Sequence, residues 1–160
     1  DCLHFWSSVC ERVIMKHENN GHCAKCLEII NKYPGFNQNL ANWFYSFQMK
    51  HTEAHISCAG RGYNEQYDAF MRGASRAKWG ESSHSWNAAL DTFVIRAGDT
   101  SIYPLDWYKT VLEPSLPPWI KWYGRPSSQF YELPHIEISN WRELAKEGIL
   151  KLVEDIPVVS

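Results

Sequence analysis

The chain lacks any apolar run approaching the ~20 residues that a membrane-spanning helix requires. It also lacks a long Lys/Arg block. With histidine neutral the formal net charge is −2, so nothing in its charge points to nucleic acid. Internal repeats and low-complexity tracts are absent as well. What remains is ordinary globular text: 160 residues, 44% hydrophobic and 21% charged, enough for one domain with a real core. The unusual abundance is aromatic, with eight Trp and eight Tyr. Large rings build cores, and exposed ones also stack on sugars or peptides in a cleft.

Periodicity divides the chain into short elements. Val9 to Met15 suggests a short helix packing through Val13 and Ile14, and Asn19-Asn20-Gly21 a turn. Asn37 reads as an N-cap for an amphipathic helix carrying Leu40, Trp43, Phe44 and Phe47. Residues 54–59 read as a strand that delivers Arg61 at its end. Asn64 is expected to cap a helix over 65–72 that stops at Gly73. A small polar loop, 75–83, precedes a strand over 91–96, rich in β-branched and aromatic residues. Further on, the text predicts a helix over 103–112 and a proline-rich break over 113–118. Residues 119–123 suit either a helix or a lid. Asn140 with Glu143 forms a capping-box start for a helix ending at Gly148, and 149–153 suits a final strand. Helices early and late around a few antiparallel strands imply an α+β fold.

Two stretches carry the chemistry. In Ser83-His84-Ser85-Trp86-Asn87-Ala88-Ala89-Leu90-Asp91, a loop histidine precedes an aspartate at the opening of a strand. In Glu132-Leu133-Pro134-His135-Ile136-Glu137, Pro134 excludes a helix interior, so the segment is extended. Two imidazoles, one carboxylate ligand and a spare carboxylate suit a catalytic Zn2+ ion, which takes three protein ligands and keeps one position open. His84, Asp91 and His135 are the candidate ligands. Glu132 is the candidate general base toward a water that the metal acidifies to a pKa of about 7. Taken singly, a His–Asp pair seven residues apart, or a histidine between apolar residues, is equally compatible with plain structural hydrogen bonding. Glu137 either orients a ligand histidine or is a surface carboxylate.

In combination these residues resemble a known family. Ser83-x-His84, Ala89-x-Asp91 and Glu132-x-x-His135 are similar to the D-alanyl-D-alanine carboxypeptidase and dipeptidase family of zinc peptidases, which includes VanY-like enzymes and L-alanyl-D-glutamate peptidases of phage endolysins. Ser57-Cys58-Ala59-Gly60-Arg61-Gly62 with Glu65-Gln66 resembles the family's arginine segment. The run from Gly73 to Ser82, and Gly124-Arg125-Pro126 ahead of Phe130, resemble the endolysin branch. The resemblance spans roughly residues 34–153. It implies a small antiparallel sheet flanked by helices, with zinc in a groove over the sheet, as in hedgehog/D-Ala-D-Ala peptidase-like folds. It also implies that His84, Asp91 and His135 bind zinc, that Glu132 is the base, and that Arg61 grips the substrate or its oxyanion. Ser83 and Trp86 would line the substrate groove, Trp86 alternatively packing in the core. Two departures stand out: the family usually has Gly where this chain has Asn87 or Ala88, and the base is Glu where several endopeptidases have Asp.

The resemblance implies a phage lysis enzyme that cuts the L-Ala–D-Glu bond, or a neighbouring bond, of the peptidoglycan stem peptide. Alternatives are a D,D-carboxypeptidase trimming terminal D-Ala and a non-catalytic zinc-stabilised binding module. No leader is visible at Asp1, so the expectation is a monomer made in the host cytoplasm without membrane insertion, reaching the wall from there. Residues 1–33 are expected to form a Cys/His-rich extension packed on a catalytic domain over 34–160. Within the extension, Cys10, His17, Cys23 and Cys26 could bind a structural metal. Free thiols and disulfides fit the same text. Cys58 is expected as a small core residue.

Overall fold

A computed structural model describes residues 23–124 and 132–154. The expected helix over Val9 to Met15, the turn at Asn19-Asn20-Gly21, and the residues Cys10, His17, Arg125, Pro126 and Phe130 lie outside the described residues. The elements in chain order are α1 (Ala24–Asn31), α2 (Gln38–Lys50), β1 (Ala54–Cys58), α3 (Tyr63–Met71), a 3-10 turn (Ser83–Trp86), β2 (Ala89–Val94), a helix α4 over 105–115, β3 (Ile120–Tyr123), β4 (Glu132–Ile138) and α5 (Trp141–Lys146). The strands form one antiparallel sheet in the order β1-β2-β4-β3. The fold is α+β, with helices around a small antiparallel sheet.

Register sorts the side chains between the two faces of that sheet, because residues directly opposite on neighbouring strands project to the same side. Ile56 pairs with Thr92, Leu90 with Ile136, and Ile136 with Trp122, making an apolar face. Helix α4 packs here: Tyr108 stacks on Trp122 at 5.9 Å, and its hydroxyl lies 3.0 Å from Thr92 Oγ1. Phe47 of α2 meets Trp107 edge-on at 5.9 Å. The opposite face carries His55 paired with Phe93, Asp91 with His135, and Ala89 with Glu137. Polar chemistry is therefore confined to one side of a sheet whose other side is core.

Several local expectations are corrected. Residues 119–123 hold a strand, β3, and neither a helix nor a lid: Ile120, Lys121 and Trp122 pair with β4. Residues 149–153 are not a strand; Leu150 and Val153 are buried from an irregular segment, and Val153 N–H donates to Ser85 O at 2.8 Å. Helix α3 starts after Gly62, not after Asn64, and Gly62 N–H donates to Glu65 Oε1 at 3.5 Å. The side chain of Asn140 makes no cap hydrogen bond to α5. Helix α4 runs through Pro114 because its middle turn, Tyr108–Leu112, is π-helical and the proline falls in the first turn of the segment after it. Asn37 does cap α2, its Oδ1 accepting from Leu40 N–H at 3.0 Å.

Candidate metal centre

Asp91 and His135 meet because they are direct cross-strand partners on β2 and β4. His84 arrives by a different route, from the 3-10 turn that precedes β2. Ser82 Oγ accepts from His84 N–H at 3.2 Å and opens that turn, and Asn87 closes it in the left-handed region, at φ 56° and ψ 34°. Asparagine suits this position because it tolerates the left-handed conformation better than other non-glycine side chains. Its Nδ2 also donates to Lys151 O at 2.9 Å. Asn87→Ala is expected to cost about 2–3 kcal/mol, combining the left-handed penalty with the lost hydrogen bond, and Asn87→Gly only about 1 kcal/mol. Urea denaturation of the two variants checks this order.

The hydrogen bonds around the two imidazoles fix which nitrogen of each ring faces Asp91. His84 Nδ1 lies 2.6 Å from Ala59 O. A carbonyl only accepts, so Nδ1 carries a proton. Nε2 then faces Asp91 Oδ1 at 3.2 Å. His135 Nε2 lies 2.7 Å from Glu137 Oε1, and its Nδ1 faces Asp91 Oδ1, again at 3.2 Å. A carboxylate oxygen facing two ring nitrogens requires a proton or a cation among them. Burial alone would raise the Asp91 carboxyl, but the neighbouring imidazoles hold it well below the usual carboxylate range. Burial would likewise depress His135, yet hydrogen bonds to Asp91 and Glu137 push it up to about 10. The site is thus built to hold positive charge. Each of the two nitrogens lies 3.2 Å from Asp91 Oδ1, about the separation of two ligands on one zinc ion, roughly 3.3 Å for bonds near 2.0 Å, although the group of ligand atoms that closes within 4.8 Å joins His84 and Asp91 to Cys58 and not to His135.

Glu137 is not a surface carboxylate. It is buried, bonded to His135, and accepts from Ser83 Oγ at 3.1 Å and Tyr123 OH at 3.3 Å. Ser83 is itself buried, with its Oγ 3.3 Å from His135 Nε2. Glu132 stands at the head of β4, its side chain 60% exposed and Oε2 3.9 Å from His135 Nδ1. Arg61 N–H donates to His84 O at 3.1 Å and its Nη1 donates to Gln66 Oε1 at 3.3 Å. The Arg61 side chain borders a cleft of about 280 Å³ that also touches Asp91, Ser57, Arg72 and Tyr103. Before Arg61, Gly60 is obligatory: an added Cβ would stand 2.6 Å from the Tyr33 ring. Trp86 packs against the core and donates from Nε1 to Gly80 O at 2.9 Å, tying the 75–83 loop to the turn that holds His84.

Among the described residues, two groups place metal-binding atoms within 4.8 Å of one another: Cys58, His84 and Asp91, and separately Cys23, Cys26 and His55. Sequence reasoning missed Cys58 at the first of these. An irregularity in β1 between Ile56 and Cys58 sets Cys58 opposite Asp91, and bulges of this kind re-aim side chains in ways that leave no mark in the residue pattern. Nor did the sequence associate His55, which is 29 residues from Cys26, with the two cysteines.

No protein-family profile and no curated protein matches the sequence. The fold does have solved counterparts. The crystal structure of the L-Ala D-Glu endopeptidase ChiX of Serratia marcescens superposes with a TM-score of 0.57 at 17% identity, over 75% of this chain and 90% of that one. At that identity the likeness is one of fold.

Proposed function

We propose that the chain is a zinc-dependent peptidoglycan peptidase that hydrolyses a stem-peptide bond, with L-Ala–D-Glu as the bond and phage lysis as the setting. The observation that carries the reading is that His84 Nε2 and His135 Nδ1 both face Asp91 Oδ1 at 3.2 Å. The shared fold with an L-Ala D-Glu endopeptidase supports the substrate class.

In this reading His84, Asp91 and His135 hold the ion. Zinc, when bound, supplies Lewis acidity toward the scissile carbonyl and toward water. Glu132 takes the proton of the attacking water and returns one to the leaving amine. Arg61, on the cleft wall, grips a substrate carboxylate or the developing oxyanion, tasks for which a guanidinium is suited. Glu137 and Ser83 orient His135, and the Ala59 carbonyl orients His84.

The reading is tested by mass spectrometry of purified peptidoglycan digested with and without a chelator. New L-Ala carboxyl and D-Glu amino ends, lost on chelation, are expected. Release of terminal D-Ala alone would favour a trimming carboxypeptidase, and an unchanged digest would favour a non-catalytic module. Glu137→Gln leaves the three ligands in place but weakens the acceptor that fixes the His135 tautomer. Zinc affinity is expected to fall about 10–100-fold, the usual cost of losing such a partner, read by competition with a chromophoric chelator.

A further inference from the structure

The second cluster lies where α1 meets the sheet and has no part in the proposed reaction. Cys23 is the N-cap residue of α1 and Cys26 lies in its first turn, so the two-residue gap turns both thiols to the same end of the helix. His55 comes from β1. Its Nδ1 is 3.9 Å from Cys26 Sγ, and the three ligand atoms fall within 4.8 Å of one another. All three residues are at most 3% exposed.

The surroundings favour negative sulfur. Cys26 Sγ accepts from Ile56 N–H at 3.4 Å and from Gln48 Nε2 at 3.4 Å. Two donors aimed at one sulfur stabilise a thiolate far more than a thiol, and a buried thiolate requires a countercharge. Gln48 is held in place for this: its Oε1 accepts from Cys23 N–H at 3.1 Å and its Nε2 donates to Ala54 O at 2.7 Å. Those contacts fall on β1, an end strand of the sheet. Ile56 N–H and Ala54 O are satisfied by Cys26 and Gln48, so the cluster covers a sheet edge that would otherwise present open hydrogen-bonding groups.

We infer that Cys23, Cys26 and His55 bind a structural zinc ion that fastens α1 to β1. Soft thiolates with one imidazole are the donor set of structural zinc, and the triad supplies three of its four positions. A buried dithiol at a helix start could instead close as a disulfide, but a disulfide would make no use of the His55 nitrogen or of the donors on Cys26. This inference does not rest on the peptidase reading.

The test is native mass spectrometry and elemental analysis of the full chain, as wild type, Asp91→Ala and Cys23→Ser. Asp91→Ala is expected to retain one zinc per chain, and Cys23→Ser to bind one fewer than wild type. Should Cys23→Ser not fold, cobalt-substituted Cys58→Ser decides. A sulfur-to-cobalt charge-transfer band with tetrahedral d–d bands supports the site, since the other ligand set then has no thiol. Absence of that band, a wild-type zinc count matched by Cys23→Ser, or an intact mass showing Cys23 and Cys26 oxidised to each other overturns it. A failed peptidase reading would show differently, as equal zinc counts in wild type and Asp91→Ala.

Discussion

Glu132→Ala is expected to lower peptidoglycan hydrolysis by about 10²–10⁴-fold, the usual contribution of a positioned acid–base group, while zinc content and Tm stay at wild-type values. The separation follows from where Glu132 sits. Its side chain is 60% exposed at the head of β4, and its closest approach to His135 is 3.9 Å, too long for a hydrogen bond. Little packing is lost on truncation, so stability should hold. The position nonetheless lies near His135, where in the proposed mechanism the attacking water gives up its proton. Unchanged turnover in this variant would remove Glu132 from the reaction. A joint fall in zinc content and activity would make it a ligand or a fold residue instead. Glu132→Asp, which keeps the carboxylate but shortens it by one methylene, should recover part of the rate.

Asp91→Ala should reduce activity to that of fully chelated wild type, because it removes the oxygen on which both ring nitrogens converge. Of the proposed ligands only His84 Nε2 and His135 Nδ1 would remain, one short of a three-ligand set. The same change strips the buried His135 of one of its two hydrogen-bonded carboxylates, leaving Glu137 as the other. The chelated variant should therefore also unfold at a lower urea concentration than chelated wild type, since a buried charge that loses a partner is destabilising. Zinc by elemental analysis and midpoints by circular dichroism read the two effects separately. Retention of activity at wild-type zinc occupancy would refute the ligand set.

Much of the scaffold was legible along the chain. The spacing of Leu40, Phe44 and Phe47 announced α2, and Asn37 its cap. Pro134 required an extended path for the Glu132–His135 stretch, and the β-branched and aromatic run after Asp91 required a strand. These are local decisions made by backbone sterics and by the periodicity of apolar residues. The failures were equally physical. Ile120-Lys121-Trp122-Tyr123 became a strand because β4 offers it an edge and Tyr108 a stacking partner, neither of them adjacent in sequence. Residues 149–153 have strand-forming text but do not pair with the sheet, and they bury Leu150 and Val153 from irregular backbone.

The candidate site divides the same way. Residue types and order along the chain named the groups proposed to act on a metal: His84, Asp91, Glu132 and His135, with Arg61 upstream. Tertiary structure alone decided how they meet. The register of β2 on β4 sets Asp91 opposite His135, a left-handed Asn87 turns the chain after His84, and the buried Glu137 and the Ala59 carbonyl choose which nitrogen each ring presents. The irregularity in β1 brings Cys58 close, and the edge of the sheet joins His55 to cysteines about thirty residues away. Pairing register and hydrogen-bond direction depend on partners distant in sequence, so they exist only once the chain has closed on itself.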